Sequence, residues 1–233
     1  MRTGEIVPIF WACDNDFVKY TVVSLQSAME NATKENRYRA YILHVDIKEE
    51  MQSKIKAMSR ENFEISFVDV REYLESISDR LPIRDYYSKT TYYRMFIAEM
   101  FPEYDKAVYI DSDTIVLGDM AELYHKDLKD FYVGAAHEQV MVQTDVYGEY
   151  VEKVLGIDRN HYFNAGLLLI NCKAFRENKI LEQFIALLDE YTFVVTQDED
   201  YLNLLCKDKV LWLEQQWNME VFGEIPYAED TFK

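Results

Sequence analysis

The stretch that decides the fold is KAVYIDSDTIVLG, residues 106–118. Ala107, Val108, Tyr109 and Ile110 form an apolar run that reads as a buried strand, and two carboxylates, Asp111 and Asp113, follow it directly. If strand geometry persists, residues two apart point to one side, so both carboxylates face one spot. Like charges about 4–5 Å apart repel by roughly 1 kcal/mol in water and several-fold more beside protein. No Lys or Arg stands beside the pair in sequence. A hard divalent cation, Mn²⁺ or Mg²⁺, meets that need with oxygen ligands. Held by two carboxylates only, it stays open to substrate oxygens and can offset charge on a departing phosphate.

Outward from this point, short apolar runs alternate with helical patterns. Residues 6–13, 40–45 and 63–70 read as strands, and 17–32 and 48–60 as helices; Met51, Ile55 and Met58 give the second helix one apolar face. A polar patch around LPIRDYYSK leads to a helix TTYYRMFIAEMF, closed by Pro102. After the acidic pair come the short run TIVL, a strand at 131–138, and HYFNAGLLLINCKAF, which combines a turn, a buried strand and a helix start that ILEQFIALLDEY continues. QDEDYLNLLC is helical and KVLWLEQQWN gives a late strand. Strand and helix in alternation imply an α/β sandwich with a mainly parallel sheet, whose ligand crevice lies at the carboxyl ends of the strands. Asp111 and Asp113 fall there.

The 233 residues suffice for one domain with a sizeable core, and 49% hydrophobic with 15% aromatic residues excludes disorder. The net charge of −17 argues against nucleic acid and against docking on anionic lipid. A diphosphate can still bind if a cation lies between. Cys13, Cys172 and Cys206 have apolar neighbours and no CxxC spacing, which reads as buried free thiols in a reducing compartment. The apolar N-terminal stretch is too short for a signal peptide and no run is long enough to span a membrane, so a cytoplasmic location is expected.

Three D-x-D pairs occur: Asp14/Asp16, Asp111/Asp113 and Asp198/Asp200. A solvated loop or a helix N-terminus accounts for any one of them, and for the last pair alone it is the better reading. The middle pair differs by its strand. There is no GxxxxGK[ST] and no GxGxxG, which excludes a P-loop and a dinucleotide fingerprint.

With these residues in place, the chain resembles the retaining glycosyltransferases of family 8, the group that includes bacterial lipopolysaccharide galactosyl- and glucosyltransferases and glycogenin. The resemblance runs from about Ile6 to Trp217 and rests on FWACDNDF, SKTTYYRM, VYIDSDTIVLGDMAELY, YFNAGLLLINCKAFR and QDEDYLN in the expected order. It implies a GT-A fold over residues 1–233, a UDP-glucose or UDP-galactose donor, a glycan acceptor and Mn²⁺ or Mg²⁺. Carried over by position, Ala12, Asp14 and Asp16 would hold the uridine. Arg94 would contact the donor, Asp111 and Asp113 the metal, and Asp111 with Ser112 the donor as well. Asn164, Ala165 and Gly166 would line the sugar, and Asp198 would bind its hydroxyls. Taken singly, Arg94 reads as a surface ion pair, Asn164 as a cap or turn and Gly166 as a packing residue.

Two departures stand out. The family's later His-Gly and Lys-Pro-Trp motif, which supplies a third metal ligand and a diphosphate-binding Lys, does not occur before the chain ends at IPYAEDTFK. The expectation is a chain lacking the family's C-terminal segment, which leaves peripheral contact with the inner membrane face undecided. The second departure is Glu199, where Gln is common. A carboxylate there could act as nucleophile or as electrostatic stabiliser, or could merely face solvent. Two other functions compete. One is a nucleotide-sugar binder without turnover. The other is a haloacid-dehalogenase-type phosphatase, whose D-x-D-x-T is not matched because Ile115 occupies the Thr place.

Overall fold

In the computed structural model, residues 5–75, 77–81, 89–193 and 195–221 are described. The central strand β4 is Ala107–Ile110, the apolar run before the acidic pair. Before it come β1 (Ile6–Ala12), β2 (Arg37–His44) and β3 (Phe63–Asp69), and after it β5 (Val133–Ala135), β6 (Leu167–Ile170) and β7 (Val210–Trp212). The sheet order is β3-β2-β1-β4-β6-β5-β7. The β1–β2, β2–β3, β1–β4 and β5–β7 pairs are parallel, and only β6 runs antiparallel to its neighbours β4 and β5. This is the mixed, mainly parallel sheet that the alternation implies.

Both faces of the sheet are buried, with the period of two that a strand dictates. Val7, Ile9 and Trp11 of β1 with Val108 and Ile110 of β4 enter one core; Phe10 and Ala12 with Ala107 and Tyr109 enter the other. The helices are α1 (Val18–Asn31), α2 (Glu49–Lys56), α3 (Arg71–Leu74), α4 (Ile97–Met100), α5 (Met120–Tyr124), α6 (Asp145–Tyr150), α7 (Cys172–Glu177), α8 (Ile180–Glu190) and α9 (Asp198–Leu205). Apolar residues of α1, α2 and α5 cover the first face, and those of α3, α4, α7, α8 and α9 the second. None of the described helices is long and apolar enough to cross a membrane.

Several local expectations change. TTYYRMF is not α-helical: Lys89–Phe96 is a 3₁₀ helix that passes into α4, and Tyr92 through Phe96 are all buried. In the short run TIVL, Ile115 and Leu117 are 55% and 85% exposed. Helix α7 does not run into α8, because Lys179 adopts φ 55° between them. Loop 137–160 contains α6 and a π-helical turn, Val151–Leu155. The polar patch at 82–88 and the C-terminal stretch 222–233 lie outside the described residues.

Candidate active site

Strand β1 has β2 on one side and β4 on the other, so the crevice between the carboxyl ends of β1 and β4 is a topological switch point. The acidic pair stands there, but not as continued strand. β4 ends at Ile110 and a turn follows, closed by Thr114 N–H to the Asp111 carbonyl at 3.3 Å. Asp111 is half-buried and Asp113 is exposed. The rule that residues two apart share a side does not carry past Asp111.

The missing counter-charge arrives from elsewhere in the fold. Arg94, on the 3₁₀ helix, is only 4% exposed, so it is no surface ion pair. Its Nη2 donates to Asp111 Oδ1 at 3.0 Å, and the Tyr109 hydroxyl donates to the same oxygen at 2.7 Å. The guanidinium lies over the Tyr109 ring, 4.3 Å from its centroid. Nη1 donates to the Ala165 carbonyl. Nε–H donates to the Thr91 carbonyl at 2.9 Å and lies 2.9 Å from Asp198 Oδ2, an ion pair without an aligned hydrogen bond. Burial alone lowers the Arg94 pKa, but Asp111 and Asp198 hold it above the ordinary range. Burial raises the pKa of Asp111, with Arg94 opposing. The need for a cation therefore does not rest on uncompensated repulsion.

The turn before β6 closes the site. Asp111 N–H donates to the Gly166 carbonyl at 2.8 Å. A Cβ on Gly166 would stand 2.9 Å from Asn164 Oδ1 and 3.2 Å from Asp111 Oδ2, so any larger residue must displace one or both side chains. Asn203 of α9 grips the turn like a strand neighbour, accepting from Phe163 N–H and donating to its carbonyl, both at 2.9 Å.

Helix α9 opens with Asp198, Glu199 and Asp200, whose charges suit a helix N-terminus. Its entry residue Gln197 has φ 56°, is 1% exposed, and has no hydrogen-bond partner at either amide atom among the described residues. Such strain collects at functional turns. The three acids then diverge. Asp198 faces Arg94; burial pushes its pKa up to about 7 against that pull. Glu199 Oε2 accepts from Ala165 N–H at 2.7 Å, and burial first, then Glu138, Asp198 and Glu220, raise its pKa well above the carboxylate range. Glu199 thus faces the turn and is not a solvent residue. Asp200 is structural, accepting from the hydroxyls of Tyr162 and Tyr150, each at 2.9 Å.

Ala12 and Ser112 meet beside this cluster. The Ser112 hydroxyl donates to the Ala12 carbonyl at 2.9 Å and accepts from Thr21 at 2.8 Å, tying β1, α1 and the acidic turn together. Asp14 and Asp16 stand further out in the β1–α1 loop. Asp14 Oδ1 accepts from the N–H groups of Asp16 and Phe17 at 3.0 and 2.9 Å, a turn-forming role, and Asp16 is exposed. Sequence reasoning missed Tyr109, Glu138, Asn203, Asn218 and Glu220 as site residues. Asn203 lay in view, five residues past Asp198; nothing local marks Glu220.

The donor set suits a hard cation. Asp111 Oδ2 lies in the space that Gly166 keeps open, and Asp113 is exposed one residue beyond Ser112. Mg²⁺ and Mn²⁺ accept such a pair and leave coordination positions for water and phosphate. Among the described residues no group of three His, Cys, Asp or Glu forms a closed site.

The family described as Glycosyl transferase family 8 matches residues 8–230. A glycosyltransferase of Haemophilus influenzae is 32% identical over 218 residues, 92% of this chain and 64% of the relative. The lipopolysaccharide 1,2-glucosyltransferase of Escherichia coli is 26% identical over 92% of this chain and 62% of its own length. The chain thus spans less than two thirds of either relative. Among solved structures, galactosyltransferase LgtC in complex with donor and acceptor sugar analogs superposes with TM-score 0.73 at 25% identity, covering 90% of this chain and 74% of that one. An active-site mutant of LgtC carrying Glu in place of Gln superposes with TM-score 0.77 at 28% identity.

Proposed function

Since the chain belongs to glycosyl transferase family 8 and has its GT-A fold, we propose that it moves a hexose from UDP-glucose or UDP-galactose to a glycan acceptor, retaining configuration at the anomeric carbon. The observation that carries the reading is the convergence of Asp111, Arg94, Asp198 and Glu199 on the turn Asn164–Gly166, at the switch point of the sheet. The phosphatase alternative is dropped, because the family match takes in nearly the whole chain.

Asp111 and Asp113 would hold Mn²⁺ or Mg²⁺, which when bound supplies Lewis-acid assistance to the leaving diphosphate. The protein's own groups do the rest. Arg94 fixes Asp111 by one oxygen and leaves the other toward the Gly166 gap. Asp14 Oδ1 shapes the uridine loop, so its other oxygen and Asp16 are the acceptors for uracil or ribose N–H and O–H. Asp198, when ionised, accepts from sugar hydroxyls. Burial disfavours the charge of Glu199 and raises its pKa well above the carboxylate range, which favours the protonated form. In that form it has the shape and hydrogen-bonding of a glutamine, one oxygen accepting from Ala165 N–H and the other able to donate. Retention then follows from attack on the leaving-group face of an oxocarbenium-like ion pair, with Glu199 stabilising that geometry and no bond formed to it.

The test is release of UDP from each UDP-hexose with Mn²⁺ present, with the anomer of the product read by NMR. Release from at least one, with the donor's anomeric configuration kept, is expected. A chain that binds UDP but releases none from any donor would be the turnover-deficient binder.

A further inference from the structure

Asn164 is held by more hydrogen bonds than a residue that only turns the chain requires. Its Oδ1 accepts from Gly166 N–H and from Asn218 Nδ2, both at 2.8 Å. Its Nδ2 donates to Glu220 Oε1 at 2.7 Å. The amide cannot be turned over, because reversal would set N–H against two donors and the carbonyl against a carboxylate. An amide has two acceptor sites and two N–H groups; both acceptor sites and one N–H are taken. One N–H is left.

Glu220 is itself anchored. Its Oε2 accepts from Gln139 N–H at 2.8 Å. Its carboxyl lies against that of Glu138, which is 5% exposed and accepts from the N–H groups of Val140, Met141 and Val142 at 2.9, 2.8 and 2.8 Å. Gln215 ties the segment down from the other end, donating to the carbonyls of His137 at 3.2 Å and Asn218 at 2.7 Å. The segments after β5 and after β7 thus meet at Glu220 and reach the sugar turn through one amide. Burial and then Glu138 push the Glu220 pKa up to about 7.

We propose that Glu220 is a positioning residue for the donor sugar: by fixing the Asn164 amide it leaves a single N–H there, which selects a hydrogen-bond acceptor, a hydroxyl or ring oxygen of the hexose. The inference rests on the UDP-hexose reading above and adds to it a residue with no part in binding UDP.

The experiment compares Glu220→Ala, Glu220→Gln, Asn164→Ala and the double variant Glu220→Ala/Asn164→Ala with wild type. Two quantities are measured: kcat/KM for UDP-hexose turnover, and affinity for UDP in Mn²⁺ by calorimetry. Glu220→Ala is expected to lower kcat/KM about tenfold while UDP affinity stays within about twofold, and the double variant to be no worse than Asn164→Ala. Glu220→Gln, which keeps an acceptor oxygen for the Asn164 amide, is expected within about threefold of wild type. If Glu220→Ala does not fold, Asn218→Ala takes its place, since it frees the Asn164 amide from the other side. Unchanged turnover in Glu220→Ala, additive losses in the double variant, or an equal loss of UDP affinity would each overturn the inference while leaving the donor reading intact. Wild type failing to bind UDP would overturn the donor reading, and this inference with it.

Discussion

Two groups of carboxylates stand on either side of the turn Asn164–Gly166, and they are compensated differently. On one side Asp111 and Asp198 share the buried guanidinium of Arg94. On the other, Glu138, Glu199 and Glu220 receive main-chain N–H groups and the Asn164 amide. A guanidinium opposes the effect of burial on a nearby acid, as Arg94 does for Asp111 and Asp198. On the other side, among the described residues, no cation pairs with the acids, and burial raises the pKa of Glu199 and Glu220. The site thus has a half compensated by a guanidinium and a half compensated by amides.

The comparison breaks most sharply at Arg94. Arg94→Met should cost about 3–5 kcal/mol, because it leaves Asp111 and Asp198 buried without their partner. For a chain of this size that lowers Tm by roughly 10 °C, measured by thermal unfolding. The loss should be smaller below pH 6, where the abandoned acids protonate. A change under about 1 kcal/mol would show that Arg94 is not what holds its half together.

Gly166→Ala strikes both halves at once, since the new Cβ would press on Asn164 Oδ1 and Asp111 Oδ2. We expect turnover to fall by about 10²-fold, with stability lowered by only about 1–3 kcal/mol. Retained turnover would mean that the gap beside Gly166 has no part in the chemistry.

How much of this could be read from sequence depends on the range of the interaction. β4 and the acidic pair were legible because a four-residue apolar run ending in charge is a local pattern, and α9 likewise from its acidic start. The grouping of Arg94 with Asp111 was not, since 17 residues and a change of element separate them. The condition placed on Asp113, that strand geometry persists, is not met, because the strand ends at Ile110 and a turn follows. The 3₁₀ winding of Lys89–Phe96 shares its apolar spacing with an α-helix, so periodicity cannot separate the two. Glu220 was invisible for a plainer reason: a lone Glu near the end of an acidic chain has no local signal, and only the fold brings it to Asn164.

Titration should sharpen the comparison with a smaller effect. Asp198 and Glu220 have folded-state pKa values of about 7, above the unfolded carboxylate range. Acids raised in this way cost stability at high pH, and the cost is relieved as pH falls through 7. Unfolding free energy should therefore rise by about 1 kcal/mol for Asp198 between pH 8 and pH 6, and this rise should be missing in Asp198→Asn. A wild-type curve that instead falls over that window would contradict the assignment.

The smallest expected change is the most telling for mechanism. Glu199→Gln should alter turnover by less than about threefold, since burial favours the protonated acid, which has the hydrogen bonding of an amide. A loss beyond about 10²-fold would return Glu199 to the role of nucleophile.

The central claim is that the acids after β4 form a cation-dependent nucleotide site, and calorimetry tests it directly. UDP is titrated into wild type and into Asp113→Asn, each with and without Mn²⁺. Binding that requires both Mn²⁺ and Asp113 is the predicted result. Equal affinity in all four titrations would contradict it, and would leave the pair as charged residues at the end of a strand.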